Sequence, residues 1–243
     1  MHKIKKGFSI LFENNDFLIV DKPSGLLSIP DRFDIEKENL STLLSSQFGE
    51  IFTVHRLDKE TSGVICFAKN KDSHKTLNEM FENRDIDKRY YAICEKSPPE
   101  EIGIIDAPIA HSHSQSGKMC IHSRGKESIT KFKLLKQWKN FCLIECKLET
   151  GRTHQIRVHL AYIDCPIACD SLYGNIQIIT IQDLKRKSKL SKSEEEFKPL
   201  MNRTALHAHS IGFSWKKEQI LVTSELPKDM RALVNQLDKW NTL

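Results

Sequence analysis

No apolar run in this sequence approaches the roughly 20 residues that a membrane-crossing helix needs. The basic start Met1-His2-Lys3-Ile4-Lys5-Lys6-Gly7 is followed by Ile10-Leu11-Phe12, but that run stops at Glu13, short of the apolar core of a signal peptide. Internal repeats and low-complexity tails are missing, and so are HExxH and CxxC spacings, which removes the commonest zinc signatures. A cytoplasmic protein with no membrane association and no metal is the expectation. The cysteine count is odd: Cys66, Cys94, Cys120, Cys142, Cys146, Cys165 and Cys169 are scattered through apolar stretches, a distribution that fits buried, reduced thiols better than a disulfide framework.

What remains is a chain of 243 residues with 39% hydrophobic content, enough to bury a core unaided. Lys and Arg number 37 against 32 for Asp and Glu, a net charge of +5; this leans towards polyanions without identifying one. Strand-like runs at 10–13 and 17–20, separated by Asn14-Asn15-Asp16, read as a hairpin. A helical pattern at 41–48 leads to Thr53-Val54-His55-Arg56-Leu57-Asp58 and a strand at 63–68. Asp72 or Ser73 can cap a helix that carries Leu77, Met80 and Phe81 on one face, ahead of a strand at 90–94. Further strands are predicted at 129–135, 141–148, 205–215 and 218–223, the middle pair joined by Trp138-Lys139-Asn140. Helices are predicted where Ile156, Leu160 and Ile163 repeat behind a possible Thr153 cap, and at 229–239. Without the regular alternation of a doubly wound sheet, this order implies an α+β fold with a mostly antiparallel sheet. Residues 176–202 form a polar insertion whose 185–198 stretch is rich in Lys, Ser and Glu.

Two stretches concentrate chemistry. His55-Arg56-Leu57-Asp58-Lys59-Glu60-Thr61-Ser62-Gly63-Val64 sets an acid between basic residues just ahead of a strand. Taken alone, Asp58 would be a loop residue or a cap. Thr150-Gly151-Arg152-Thr153-His154-Gln155-Ile156-Arg157-Val158-His159-Leu160 packs cationic and titratable groups between apolar ones. A basic helix face can serve solubility alone, yet such faces seldom interleave their charges with Ile, Val and Leu.

The first stretch resembles the HRLDxxTSG signature of RluA-type pseudouridine synthases, and the second their GRxHQIRxH segment. Asp21-Lys22-Pro23-Ser24-Gly25-Leu26 is similar to the KPSGL opening of that family, Lys88-Arg89-Tyr90-Tyr91-Ala92 to its KxYxA strand, and Asp170-Ser171-Leu172-Tyr173-Gly174 to its GDxxYG turn. Five matches in the family's order are far more specific than any one of them.

The resemblance implies isomerisation of a uridine in RNA: the base is detached at its glycosidic nitrogen, turned and rejoined through carbon. It makes Asp58 the essential carboxylate, as nucleophile or as base. Arg157 becomes the opposing charge that keeps it ionised, and Tyr90 the pocket tyrosine that stacks on the base. Tyr91 should face the other side of the strand. Arg56 would fill the space left by a flipped uridine, with His55, Arg152, His154 and Arg124 as further RNA contacts.

The implied architecture is one catalytic domain over 1–243, helices flanking the sheet around a central RNA-binding cleft. No S4-type domain is expected ahead of it, since the hairpin begins within the first dozen residues. A ribosomal or transfer RNA stem-loop is the expected partner, with no cofactor, no protein partner and a monomeric state. Two departures stand out. Ser128 replaces a common alanine in Gly125-Lys126-Glu127-Ser128-Ile129-Thr130, and Cys169 replaces the glycine that usually opens the aspartate turn, which puts that turn's geometry in question.

Two rival readings carry less. His111-Ser112-His113 and His207-Ala208-His209 each put two imidazoles on one strand face, the arrangement of a metal-dependent hydrolase, but no acidic ligand accompanies either pair. A non-catalytic RNA-binding protein would have no use for an acid beside a polyanion.

Overall fold

The computed structural model describes residues 7–185 and 198–243. Its contacts divide the chain into two compact units, one of residues 1–90 with 207–225, the other of 91–206 with 226–243.

In chain order the first unit contributes β1 (Ser9–Glu13), β2 (Phe17–Lys22), α1 (Leu40–Phe48), β3 (Phe52–Thr53), β4 (Ser62–Ala68) and α2 (Lys71–Glu82). Then β5 (Asp87–Cys94) carries the chain into the second unit. There follow β6 (Ile102–Asp106), β7 (Ile109–His111), β8 (Met119–Ile121), β9 (Ile129–Gln137), β10 (Cys142–Leu148) and α3 (Gln155–Tyr162). The second unit continues with β11 (Ile179–Thr180), α4 (Ile181–Leu184) and β12 (Pro199–Met201). The chain returns to the first unit as β13 (Leu206–Trp215) and β14 (Glu218–Thr223), and ends in the second as α5 (Lys228–Trp240).

In the first unit the strands lie in the order β1-β2-β4-β13, with β3 on β4 and β14 on β13. Asn14 makes the first hairpin: its Oδ1 accepts from Asp16 N and Phe17 N, each at 2.8 Å, an Asx turn that reverses the chain. β2 and β4 pair antiparallel from Phe17–Ala68 to Lys22–Gly63, whereas β4 and β13 run parallel, Ser62 opposite His207 and Gly63 opposite Ala208. Period-two alternation turns Phe17 and Ile19, Val64, Cys66 and Ala68, and Ile211, Phe213 and Trp215 into one core, with Leu77 of α2 packed on it. The cap of α2 is Asn70, not Asp72 or Ser73: its Oδ1 accepts from Ser73 N at 2.8 Å, so the predicted caps lie inside the first turn.

In the second unit β10, β9 and β6 form an antiparallel meander. β10 alternates strictly, burying Cys142, Ile144, Cys146 and Leu148. Helix α5 buries Met230, Leu233 and Leu237, and its Asp238 accepts from Trp138 Nε1 at 2.7 Å, which ties the β9–β10 turn to the C-terminus. α3 packs on the β7–β8 hairpin through Val158, Ile109 and Met119.

Strands and helices therefore mix as an α+β fold whose strands pair mostly antiparallel. The predicted polar insertion is not uniformly polar. Its described ends form β11, α4 and β12 and bury Ile179, Leu184 and Met201; residues 186–197 lie outside the described residues. No disulfide joins the seven cysteines, and all but the half-buried Cys120 are buried. Among the described residues no helix is long and apolar enough to cross a membrane.

Candidate functional site

Asp58 lies in the loop between β3 and β4, and the residues around it are held from below by the 22–28 segment. The Lys22 side chain is fully buried. Its ammonium donates to three backbone oxygens: Leu26 O at 2.7 Å, Pro23 O at 3.1 Å and Lys59 O at 3.1 Å. A buried cation is tolerated when carbonyl dipoles replace its water. The third of these bonds reaches the residue next to Asp58. Ser24 Oγ donates to Glu60 O at 2.7 Å and Gly25 N to Lys59 O at 2.8 Å. Ser28 Oγ donates to Leu57 O at 2.9 Å and accepts from Leu57 N at 3.1 Å. The backbone on both sides of Asp58 is thus fixed, and Thr61 N closes a turn onto Asp58 O at 3.1 Å. The segment that resembles the KPSGL opening is a brace.

At the start of β4, Gly63 has φ of +109°, and a Cβ there would stand 2.1 Å from Ala208 O. Only glycine allows this approach of β13. Beside it, Ser62 Oγ and His207 Nδ1 are 3.1 Å apart, and His207 Nε2 meets Ser224 O at 3.2 Å. A carbonyl only accepts, so Nε2 carries the proton and Nδ1 accepts from Ser62. His209 Nδ1 lies 2.8 Å from the same Ser224 oxygen. The histidines that suggested a metal pair are engaged in hydrogen bonds, and among the described residues neither they nor His111 and His113 join a cluster of three metal-capable donors.

Asp58 and Tyr90 act on each other. Burial, and then the charge of Asp58, push the Tyr90 phenol well above its ordinary value, so a hydroxyl already protonated at neutral pH lies within reach of the Asp58 charge. Tyr90 is buried and Tyr91 half-buried, as the alternation of a strand requires. Arg56 is exposed. His55 faces inward: its Nε2 accepts from Cys66 N at 3.0 Å and its ring stands 4.8 Å from that of Phe81. Burial, helped by the nearby Lys88 charge, pushes its pKa down to about 3, and it is neutral. The ring fastens the Asp58 loop to β4.

The cationic segment of the second unit is ordered by its own side chains. Gln155 Oε1 accepts from Arg152 N and Thr150 Oγ1, while its Nε2 donates to Ile129 O and Thr130 Oγ1. His154, not Thr153, is the N-cap residue of α3, in the left-handed region at φ +56°; its Nδ1 lies 2.9 Å from Tyr173 Oη. Arg152 is exposed, with Nε donating to Glu127 O at 3.0 Å. Arg124 is exposed too.

Arg157 is buried and forks onto Asp170, Nε to Oδ2 at 2.7 Å and Nη2 to Oδ1 at 2.8 Å. Its guanidinium carbon sits 5.1 Å from the Tyr173 ring centroid, a cation–π contact. Asp170 is fully buried and also accepts from Leu172 N at 3.0 Å and Tyr173 N at 3.2 Å. Cys169 adopts φ of +58°, so the turn takes the left-handed conformation that suits glycine even with cysteine in its place. Asp170 and Tyr173, which hold Arg157, are legible in sequence only as turn positions. The bidentate partner of an arginine is set by the tertiary fold.

The description "RNA pseudouridylate synthase" matches residues 16–162. The chain is 32% identical over 240 residues to an uncharacterized RNA pseudouridine synthase of Bacillus subtilis, covering 95% of this chain and 73% of that protein. It is 34% identical over 241 residues to a ribosomal large subunit pseudouridine synthase D of Zymomonas mobilis, covering 94% and 72%. Among solved structures, that of human RNA pseudouridylate synthase domain containing 4 aligns with a TM-score of 0.72 at 27% identity, over 94% of this chain and 92% of that one. With these likenesses added to the braced Asp58 loop and the five ordered motifs, the chain belongs to the RluA-type family of RNA pseudouridine synthases, isomerases that act on RNA.

Proposed function

We propose that this protein isomerises uridine in a structured ribosomal RNA, with Asp58 as the essential carboxylate. The observation that carries the reading is the placement of Asp58 on a loop whose backbone is fixed on both sides, near enough to the buried Tyr90 for its charge to act on the phenol. An ionised carboxylate is what either chemical route needs, attack on the nucleoside or removal of a proton. Tyr90 stacks against the target base and keeps its hydroxyl at the carbon that must lose a proton. Family resemblance gives Arg157 its charged role in catalysis; within its own unit, Asp170 fixes the plane of its guanidinium while using two of its five N–H donors. Arg56, exposed on the same loop as Asp58, fills the stack after the uridine leaves it, a step that costs a few kcal/mol. Arg152, His154 and Arg124 contact phosphate. Ribosomal RNA is favoured because several relatives are named ribosomal large subunit pseudouridine synthases.

The test is Asp58→Asn, which keeps shape and removes charge. Pseudouridine formation should fall by about 10²–10⁴-fold or more, with RNA binding and the unfolding midpoint unchanged. Undiminished product would refute the assignment. Mapping pseudouridine across total RNA with and without the gene identifies the substrate, and sites confined to transfer RNA would overturn the ribosomal reading.

A further inference from the structure

Three thiols converge in the second unit. Cys94 is the last residue of β5, Cys142 the first of β10, and Cys165 lies just beyond α3. All are fully buried, and their sulfurs lie within 4.8 Å of one another. Cys142 Sγ and Cys165 Sγ are 3.9 Å apart. Both also meet one backbone oxygen, Lys96 O, at 3.1 Å from Cys142 and 2.7 Å from Cys165. Among the described residues no other group of three Cys, His, Asp or Glu side chains gathers its donor atoms in this way. Buried cysteines that serve only as small apolar side chains need no common focus, and the reaction proposed above uses none of the three.

We propose that Cys94, Cys142 and Cys165 bind one zinc-class divalent ion, with Lys96 O as the fourth ligand. Zn–S bonds of about 2.3 Å in a tetrahedron set sulfur–sulfur edges of about 3.8 Å, which the Cys142–Cys165 pair already meets. A Zn–O bond of about 2.1 Å sets oxygen–sulfur edges of about 3.6 Å, so Lys96 O moves outward by less than about 1 Å. Charge favours a divalent ion over a monovalent one. Three thiolates around a divalent ion leave one uncompensated negative charge in the interior, whereas a monovalent ion leaves two.

Binding transfers three thiol protons to solvent and forms three metal–sulfur bonds, with no change of oxidation state. The bound ion would cross-link β5, β10 and the end of the helix that carries Arg157.

The test is titration of the full-length reduced protein with Co²⁺ and then Zn²⁺ in the absence of oxygen. One equivalent of Co²⁺ should produce thiolate-to-metal charge-transfer absorption and the visible bands of tetrahedral cobalt, and Zn²⁺ should abolish both and raise the thermal midpoint. Cys120→Ser, outside the cluster, should behave as the parent, and Cys142→Ser should bind at least about tenfold more weakly. If that variant does not fold, the parent's own titration decides. Absence of the charge-transfer band, or a Cys142–Cys165 disulfide that forms on mild oxidation regardless of added Zn²⁺, would overturn the proposal.

Discussion

Replacing Lys22 by Met tests whether the segment beneath Asp58 is a brace or only a neighbour. The variant keeps an unbranched chain in the same channel but removes three ammonium-to-carbonyl bonds, to Pro23 O, Leu26 O and Lys59 O. Lys59 O retains the Gly25 N–H, so the loss falls mainly on Pro23 O and Leu26 O. These two oxygens are only part-buried, so at about 1–2 kcal/mol for each one left without a partner the expected destabilisation is about 2–4 kcal/mol. Stability should be followed by urea unfolding with circular dichroism. Activity should be measured where the variant is still folded, as tritium released from RNA that carries 5-tritiated uridine. If the loop shifts by about 1 Å, turnover falls by about 10²-fold. An unfolding midpoint and a rate both equal to the parent's would refute the brace.

Three further perturbations probe separate parts of the structure. Asp170→Asn keeps the acceptor at Oδ1 but sets an amide N–H₂ against Arg157 Nε–H and removes the carboxylate on which the buried guanidinium forks, so urea unfolding should register a loss of about 3–5 kcal/mol; a loss below about 1 kcal/mol contradicts it. Gly63→Ala forces a Cβ onto Ala208 O at a positive φ and should cost about 3 kcal/mol or prevent folding, whereas a soluble variant with the parent's midpoint would mean that β13 can retreat freely. His55 titrates near 6.5 when unfolded but near 3 in the fold. The unfolded chain therefore takes up the proton first, and stability, fully present above about pH 6.5, declines as pH falls towards 3. From pH 7 to pH 5 the loss from His55 is about 2 kcal/mol, and buried His159, also shifted downward, adds in the same direction; identical urea midpoints at the two pH values would contradict both.

The parts of the fold that could be read in sequence are those whose burial follows a clean period. The Asn14 turn between two apolar runs, the one-sided faces of α2 and α5, and the alternation of β10 each state their structure locally. β6 does not, because it turns Ile102 and Ile104 outward and carries Gly103, whose missing side chain leaves room for the Phe132 ring. At the site, Asp58 and Tyr90 stand in contiguous motifs that resemblance could identify. The inward course of Lys22 and the grip of Asp170 on Arg157 could not be seen there, since each depends on segments that only the tertiary fold brings together. The cap of α2 is hard to read for a related reason, since Asn70, Asp72 and Ser73 can each accept a backbone N–H and only Asn70 does; α3 starts at His154 with no side-chain cap at all, its left-handed backbone making the turn.

A left-handed cysteine costs about 1–2 kcal/mol where glycine would cost nothing, so the bend at Cys169 does not arise from its own residues. It is imposed by the next position, where one carboxylate collects two guanidinium donors and two main-chain amides. Arg157 is therefore a folding residue as well as a candidate participant in the reaction. An inactive Arg157 variant would report both duties at once, and its lost activity measures the chemistry only after the integrity of residues 169–174 has been established independently.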